Sequence, residues 1–313
     1  MKTHILPATD ENVFTGYFDN SVPPVLTISS GDTVELATQM LNDDRLQPGL
    51  TLADLLKIRE EYYNRQRTSH TLTGPIYISG AAPGNVLEVR ILELVPRPYA
   101  VNYILPEQCK AGTLPEDFPH GQIKDFVLDL PSMTTDFSPG ITIPLRPFMG
   151  VMGVAPGKPG RHSTAPPDEF GGNIDCNELV AGTTLYLPVF VPVALFVTGD
   201  AHAAQGNGEV CLTALETAVD KAVFQFVVHK DRTLSRPLAE TPTHWITFGF
   251  HPDLNEAAKI ALRDMVTFLS EHKGLTRLDA YSLSSIAADL RVTQLVDGNK
   301  GIHAMMPKTI FTP

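Results

Sequence analysis

Prolines and glycines divide this 313-residue chain into many short segments and leave little room for long helices. There are 26 prolines and 23 glycines, scattered along the chain and not gathered in one linker. Because proline interrupts regular structure and glycine permits tight turns, this distribution is typical of a protein built from short strands. The sequence therefore predicts a mostly β fold.

Several segments have the composition of individual strands. Three of them begin at a glycine turn and continue with alternating or β-branched residues, and they cover residues 31–37, 84–94 and 182–189. A fourth run, residues 222–228, places Phe224 and Phe226 on one face. We also expect a strand at residues 210–215. By contrast, residues 99–119 and 133–167 are predicted to be long loops, which are often functional or lie between subunits.

Two amphipathic helices are predicted near the C-terminus. Asp253 and Glu256 have the spacing of a capping box, apolar residues then recur at helical spacing as far as Leu269, and Gly274 is the expected end. The second helix is predicted for residues 279–290. Its expected apolar side consists of Leu283, Ile286, Ala287 and Leu290. Both helices are expected to pack on the sheets without taking part in chemistry.

Charge, hydropathy and cysteine content limit the classes of function. Lys and Arg number 24 against 35 Asp and Glu, so the chain repels phosphate backbones and anionic lipid, and we expect neither a nucleic-acid nor a membrane partner. The most apolar stretch, residues 185–197, is too short to span a membrane and contains two prolines. Three cysteines without a CxxC pair indicate a reducing cytoplasm.

The densest group of polar residues is the segment 199–209, between two predicted strands. Asp200 and His202 are two positions apart, so an extended backbone would place both on one side, where carboxylate oxygen and imidazole nitrogen suit zinc and similar divalent ions. Gln205 and Glu209 complete the group. The alternative is a hairpin loop that is merely polar.

Two other segments add candidate residues. Asn173 and Asp175 lie on either side of Ile174, and Asp175 either completes a metal site, orients His202 or belongs to a turn. The neighbouring Cys176 would need a nearby cation to become a nucleophile, and the sequence shows none. His70 precedes Gly74 and Pro75 at the expected start of a strand, a position where a lone histidine is more often a packing residue.

These segments together resemble the acetamidase/formamidase family. The resemblance rests on His70 with residues 74–76, on residues 80–87, on residues 171–175 and above all on residues 199–209, and it extends from about residue 15 to the C-terminal helices. One departure stands out: the family typically has Gly-Asp-Gly-Glu where this chain has Gly-Asn-Gly-Glu at residues 206–209. Asn207 can hold a turn but would be a poorer metal ligand.

The resemblance implies a fold, an assembly and an activity. The implied fold is a jelly-roll-like sandwich with a small β-barrel part, and the implied assembly is a homo-oligomer. We expect residues 1–313 to form a single unit, with a possible division into a β subdomain at about 1–170 and a β plus helical subdomain at about 171–313. The implied activity is hydrolysis of a short aliphatic amide, such as acetamide or formamide, to a carboxylate and ammonia.

Within that activity, the candidate residues receive expected roles. Asp175, Asp200 and His202 are expected to bind a divalent metal, with zinc as the expected ion, which can polarise the carbonyl and lower the pKa of a coordinated water toward about 7. Glu209 is the expected general acid/base, with His70 assisting it or serving as a further ligand. Asn173 and Gln205 are expected to hydrogen-bond the substrate.

Two rival interpretations remain open at the level of sequence. A non-catalytic β-sandwich protein that binds a small molecule or an ion would need shape and hydrogen bonds but no activated water. Among enzymes, the nearer rival is hydrolysis of a different amide or of a urea-like compound.

Overall fold

The computed structural model describes residues 1–311. Strands make up 40% of the chain and helices 18%, which confirms the mostly β prediction. The first strands in chain order are β1 (Thr3–Leu6), β2 (Val13–Thr15), β3 (Tyr17–Phe18), β4 (Leu26–Ser29), β5 (Thr33–Leu36), β6 (Thr71–Ser79), β7 (Val86–Pro96), β8 (Tyr99–Ile104), β9 (Gln122–Val127), β10 (Thr134–Ser138) and β11 (Ile141–Pro144). The remaining strands are β12 (Phe148–Gly153), β13 (His162–Ser163), β14 (Gly171–Asn173), β15 (Thr184–Pro188), β16 (Phe196–His202), β17 (Glu216–Thr217), β18 (Val219–His229), β19 (Leu238–Glu240), β20 (His244–His251), β21 (Asp289–Gln294) and β22 (Lys300–Pro307).

The helical elements are fewer. They are α1 (Leu41–Asp44), α2 (Leu52–Asn64), α3 (Leu254–Lys273) and α4 (Arg277–Ala287), with three 3-10 turns at Glu107–Cys109, Pro115–Asp117 and Lys308–Ile310. No helix within residues 1–311 is long and apolar enough to cross a membrane.

Two large sheets form the body of the protein. The first has the order β1-β5-β18-β7-β15-β19-β20-β22-β21, and the second has the order β14-β12-β16-β17-β8-β9, with β6 joining β16 to β2 and β4. Both sheets take strands from either side of residue 170, and the division into two subdomains stays a prediction.

The two sheets pack face to face around aromatic side chains. Phe196 of the second sheet lies 6.3 Å from Phe224 and 5.1 Å from Phe226 of the first, measured between ring centroids. Phe224 and Phe226 are both fully buried, as their shared face predicts. The sandwich is therefore held by burial of apolar surface between the sheets.

The sheets are not closed into a barrel among the described residues, which corrects the expected small β-barrel part. The physical reason is that both sheets end in edge strands, β1 and β21 in the first and β14 and β9 in the second. The jelly-roll detail stays a prediction.

Helix α3 confirms the first C-terminal helix. The Asp253 carboxylate accepts from the backbone N–H groups of Asn255 and Glu256, and Gly274, with φ 67°, ends the helix. The Glu256 carboxylate pairs with Lys259, so only half of the predicted capping box forms. Against the sheet, a Cβ on Gly249 would lie 2.0 Å from the Ala257 carbonyl oxygen, and this glycine therefore lets α3 approach β20 closely.

Helix α4 differs from its prediction. It begins at Arg277, where the Thr276 side chain caps it, and Leu290 belongs to strand β21. Its predicted apolar side is wrong at Ile286, whose side chain is 80% exposed. Helical spacing of apolar residues therefore did not fix either end of this helix.

Three segments predicted from proline and glycine content also differ. Residues 99–119 contain β8 and residues 133–167 contain β10 to β13, so neither stretch is one long loop. Residues 210–215 form turns instead of a strand, because Leu212 has a left-handed φ of 94° and its N–H donates to the Glu209 carbonyl. The neighbouring strand is the short β17.

Candidate functional site

Two segments of the second sheet bring Asp175, Asp200 and His202 together. Asp200 and His202 lie at the end of β16, and Asp175 follows β14. The Asp175 N–H donates to the Gly150 carbonyl at 3.2 Å, and β12, which carries Gly150, pairs with β16. Strand pairing therefore places residues 25 positions apart in one buried cluster.

The cluster centres on the His202 imidazole. His202 Nδ1 lies 3.7 Å from Asp175 Oδ1, and Nε2 lies 3.6 Å from Asp200 Oδ2 and 3.3 Å from Glu216 Oε2. One ligand atom from each of Asp175, Asp200 and His202 fits within a mutual distance of 4.8 Å. All four side chains are at most 5% exposed, so water screens their charges little.

The backbone around these carboxylates is strained. Asp175, Asp200 and Glu209 have φ values of 51°, 56° and 45°, in the left-handed region that costs a non-glycine residue about 1–3 kcal/mol. Asp200 and His202 both lie in strand β16, as the sequence predicts, although Asp200 itself has the left-handed φ. The two side chains nevertheless meet, and strain of this kind is concentrated at functional sites.

Gly150 gives the carboxylates their space. A Cβ at this position would lie 2.5 Å from Asp175 Oδ1 and 2.8 Å from Asp200 Oδ2, closer than real Cβ contacts occur. Gly150 was not predicted, because nothing in its neighbourhood distinguishes it from the other glycines.

Glu209 belongs to a second group that reaches across to the C-terminal hairpin. One oxygen each from Asp175, Glu209 and Asp297 lies within 4.8 Å of the others. The hairpin is held there because Gly208 N–H donates to the Thr293 carbonyl at 3.0 Å and Leu295 N–H donates to the Gly208 carbonyl at 3.0 Å.

Glu216 and Asp297 were not predicted. Glu216 stands among mainly apolar residues and threonines before β18, and a carboxylate with such neighbours was the one local signal for it. Asp297 precedes Gly298, and an Asp-Gly pair is typical of a hairpin turn, so nothing in the local sequence indicates a functional role.

Burial opposes the negative charge of this group. Burial raises the pKa of Asp175 to about 6, although the His202 imidazole acts against the rise. Burial, reinforced by neighbouring carboxylates that include Asp175, also raises the pKa values of Glu209 and Asp297 well above their ordinary range. Carboxyl groups this close therefore need protons or a cation between them.

The pKa values of Asp200 and His202 shift against the effect of burial. Burial would raise the pKa of Asp200, but His70 and His202 outweigh it and lower that pKa. Burial would lower the pKa of His202, but Glu216 and Asp200 raise it well above its ordinary value. Both shifts have the same cause, the attraction between the imidazole and the carboxylates around it.

The donor set fits a divalent cation. Asp175 Oδ1 and Glu209 Oε2 are buried and have no hydrogen-bond partner in the part of the chain that the structure describes. Buried carboxylate oxygens without hydrogen-bond partners fit a bound cation. Carboxylate oxygen with imidazole nitrogen is a zinc-type ligand set. Asp175, Asp200 and His202 could hold such an ion.

Gln205 fixes the orientation of the imidazole. Its Oε1 lies 2.9 Å from His202 Nδ1, and its Nε2 donates to the Asp175 carbonyl at 2.9 Å. When Nδ1 carries the proton and donates to Gln205, the Nε2 lone pair faces Asp200 and Glu216, as a metal-binding histidine requires. Both ends of the Gln205 amide thus contact the protein.

His70 and Asn173 lie at the margins of the cluster. His70 Nε2 lies 3.9 Å from Asp200 Oδ2, and its Nδ1 lies 2.9 Å from the Thr164 hydroxyl. Gly74 and Pro75 lie inside β6 instead of at its start. Asn173 Nδ2 donates to the Ala165 carbonyl at 3.1 Å, and its buried Oδ1 has no partner within residues 1–311.

Cys176 lies beside Asp175 but is not suited to act as a nucleophile. Its side chain is completely buried, and burial raises the pKa of the thiol to about 12. A thiol of this kind stays protonated at neutral pH, whereas nucleophilic cysteines react as thiolates.

A cleft of about 450 Å³ reaches the edge of this cluster at Glu209 and Gln205, while Asp175, Asp200 and His202 do not line it. Glu209 and Gln205 line its wall together with Asn102, Asn177 and Arg146. A concave pocket next to buried titratable groups is the usual arrangement of an active site.

Comparisons with known proteins identify the family and similar folds. The family model described as Acetamidase/Formamidase family matches residues 5–163 and 158–313. A solved acetamidase from Bacillus halodurans is 31% identical with a TM-score of 0.88, and the match covers 98% of each chain. A solved acetamidase from Yersinia enterocolitica is 28% identical with a TM-score of 0.88, over 99% of this chain and 93% of that one.

A relative known from its sequence matches over a smaller share. A putative formamidase from Schizosaccharomyces pombe is 24% identical over 65% of this chain, and the match spans 61% of the relative's own length. The chain therefore aligns with less than two thirds of that relative.

Proposed function

Because the chain belongs to the acetamidase/formamidase family, we propose that it hydrolyses the carbon–nitrogen bond of a short, non-peptide amide and releases a carboxylate and ammonia. The observation that carries this proposal is the buried group of Asp175, Asp200 and His202, which meets a cleft through the neighbouring Glu209. Asp175 Oδ1 and Glu209 Oε2 have no hydrogen-bond partner within residues 1–311. Hydrolysis of an amide needs charge stabilisation at the carbonyl and a proton for the departing nitrogen.

We assign the charge stabilisation to a divalent cation, with zinc as the expected ion, held by Asp175, Asp200 and His202. When bound, such an ion supplies Lewis-acid polarisation of the carbonyl and makes water a better nucleophile near neutral pH. Gln205 keeps the His202 imidazole in the orientation that leaves Nε2 free for binding. Gly150 keeps the two aspartates close enough to share one ion.

The proton transfer is assigned to Glu209. Glu209 is one of the residues that line the cleft, its Oε2 is buried without a hydrogen-bond partner within residues 1–311, and its carboxyl group lies beside Asp175. It can therefore hold a proton next to a substrate in the cleft and deliver it to the leaving nitrogen. His70, on the far side of Asp200, assists or adds a further ligand.

Asn173 and Gln205 are the predicted substrate contacts, and they differ in whether their side-chain amides already have hydrogen-bond partners. Asn173 Oδ1 is buried and unpartnered in the described part of the chain, so it can accept from an amide N–H. Gln205 already contacts the protein through both ends of its amide, and its contact with substrate requires a change of partner.

The proposal extends to assembly and location. We propose a homo-oligomer in the cytoplasm, on the basis of the family resemblance and of three cysteines that lack the pattern of a disulfide framework.

The direct test is release of ammonia by the purified protein from formamide, acetamide and related small amides. We expect ammonia and carboxylate to appear in equal amounts. If no amide is hydrolysed while one of them raises Tm, the chain binds small molecules without catalysis, and the hydrolase proposal is wrong.

A further inference from the structure

The cleft beside Glu209 is larger than a formamide or acetamide molecule needs. Its volume of about 450 Å³ falls within the range of about 300–1,000 Å³ found for pockets that bind drug-sized ligands. Liquid water takes up about 30 Å³ per molecule, so the cleft has room for many waters. Acetamide has four non-hydrogen atoms and would displace only a few of them. The remaining space can hold a larger acyl group.

Most of the cleft wall away from the carboxylates is apolar. The apolar side chains come from three separate segments and are Phe126, Phe137, Ile143, Pro144, Val210 and Leu215. Val210 directly follows Glu209 and is 59% exposed. The apolar surface therefore begins next to the group assigned to proton transfer.

Phe137 is an exposed aromatic residue that is nonetheless held in place. Its side chain is 43% exposed, and its ring stacks on that of the buried Phe126, with 6.0 Å between centroids and 28° between planes. Lys124 Nζ lies 3.7 Å from the Phe137 ring centroid and also donates to the Phe137 carbonyl. A fixed aromatic surface facing a cleft is ready to bind an apolar group without further ordering.

The polar groups of the cleft suit a neutral amide better than a charged ligand. Asn177 Nδ2 donates to the Gln205 carbonyl at 2.9 Å, while its buried Oδ1 has no partner among residues 1–311 and can accept from an amide N–H. Arg146 is paired with Glu178 at 3.3 Å, so its charge is partly neutralised.

We propose that the preferred substrate of this chain is a primary amide with an apolar acyl group of aliphatic-chain to phenyl size. The acyl group lies between Phe137 and Val210, and the amide group lies at Asn177 and Glu209. This inference rests on the proposed function and narrows its substrate.

The experiment compares kcat/KM for acetamide, butyramide, hexanamide and phenylacetamide by ammonia release. Because a single methylene in an apolar pocket is worth about 10- to 200-fold, we expect phenylacetamide to exceed acetamide by at least about tenfold. Ammonia from acetamide with little or none from the larger amides overturns this inference and leaves the proposed hydrolysis intact. Ammonia from none of the four, and none from formamide, overturns both.

Two phenylalanine variants locate the preference. Phe137→Ala should lower the phenylacetamide-to-acetamide ratio of kcat/KM by at least about tenfold. Phe118→Ala is the matched control, because Phe118 is similarly exposed, at 48%, but lines a neighbouring cavity and not this cleft. The inference also fails if the two variants change the ratio equally.

Discussion

Glu209→Gln is expected to lower kcat for amide hydrolysis by about 10²–10⁴-fold, the usual contribution of general acid–base catalysis. The glutamine amide has nearly the size of the carboxyl group but cannot deliver a proton to the departing nitrogen. Metal content should stay near that of the wild type, because the proposed ligands are Asp175, Asp200 and His202. Ammonia release and metal content are measured on the same preparation.

The stability of this variant separates loss of chemistry from loss of fold. Glu209 is buried beside Asp175 and Asp297, so removal of one carboxyl group relieves repulsion among them. We therefore expect a Tm equal to or above that of the wild type. Glu240→Gln, the same chemical change at a surface ion pair with Lys308, is the control and should keep full activity.

Other outcomes for Glu209→Gln reassign the residue. Loss of metal would make Glu209 a ligand, and the proton donor would then be sought at His70. Activity and metal content both at the wild-type level would mean that residues 199–209 form a structural loop, contrary to the proposed site.

Gly150→Ala is expected to reduce activity by about 10- to 100-fold, as does the removal of groups that orient metal ligands. The added Cβ would lie 2.5 Å from Asp175 Oδ1 and 2.8 Å from Asp200 Oδ2. The backbone cannot easily retreat, because the Gly150 carbonyl accepts from Ile174 at 2.9 Å and from Asp175 at 3.2 Å. The two carboxylates must therefore move apart.

The matched control for this change is Gly157→Ala, whose Cβ would make an ordinary 3.4 Å contact with the Phe190 Cβ. We expect Gly157→Ala to keep activity and metal. Ammonia release, bound metal and Tm are compared for both variants. Wild-type turnover by Gly150→Ala would show that the spacing of the two aspartates does not matter for hydrolysis.

Sequence predicted the elements whose signals are local. The Asp253 cap and the helical spacing that follows it identified α3, and the glycine turns before β7 and β15 identified those strands. Helix α4 was displaced because apolar spacing alone did not show that Leu290 begins a new strand. The order of strands in the two sheets has no local signal at all.

The same distinction applies to the site. Asp200, His202 and Glu209 were found because they lie within ten residues of one another. Glu216 and Asp297 join them through tertiary contacts, the pairing of Glu216 with Val101 and the bridge between Gly208 and Gln294. The roles of all these residues stay predictions.

The measurement that tests the account most directly is a metal titration of the wild-type protein. The protein is freed of metal with a strong chelator, metal removal is verified by elemental analysis, and zinc is then added back while ammonia release from an amide is followed. We expect activity to vanish with the metal and to return in proportion to the zinc that binds. A full rate of ammonia release by protein shown to contain no metal would contradict the account.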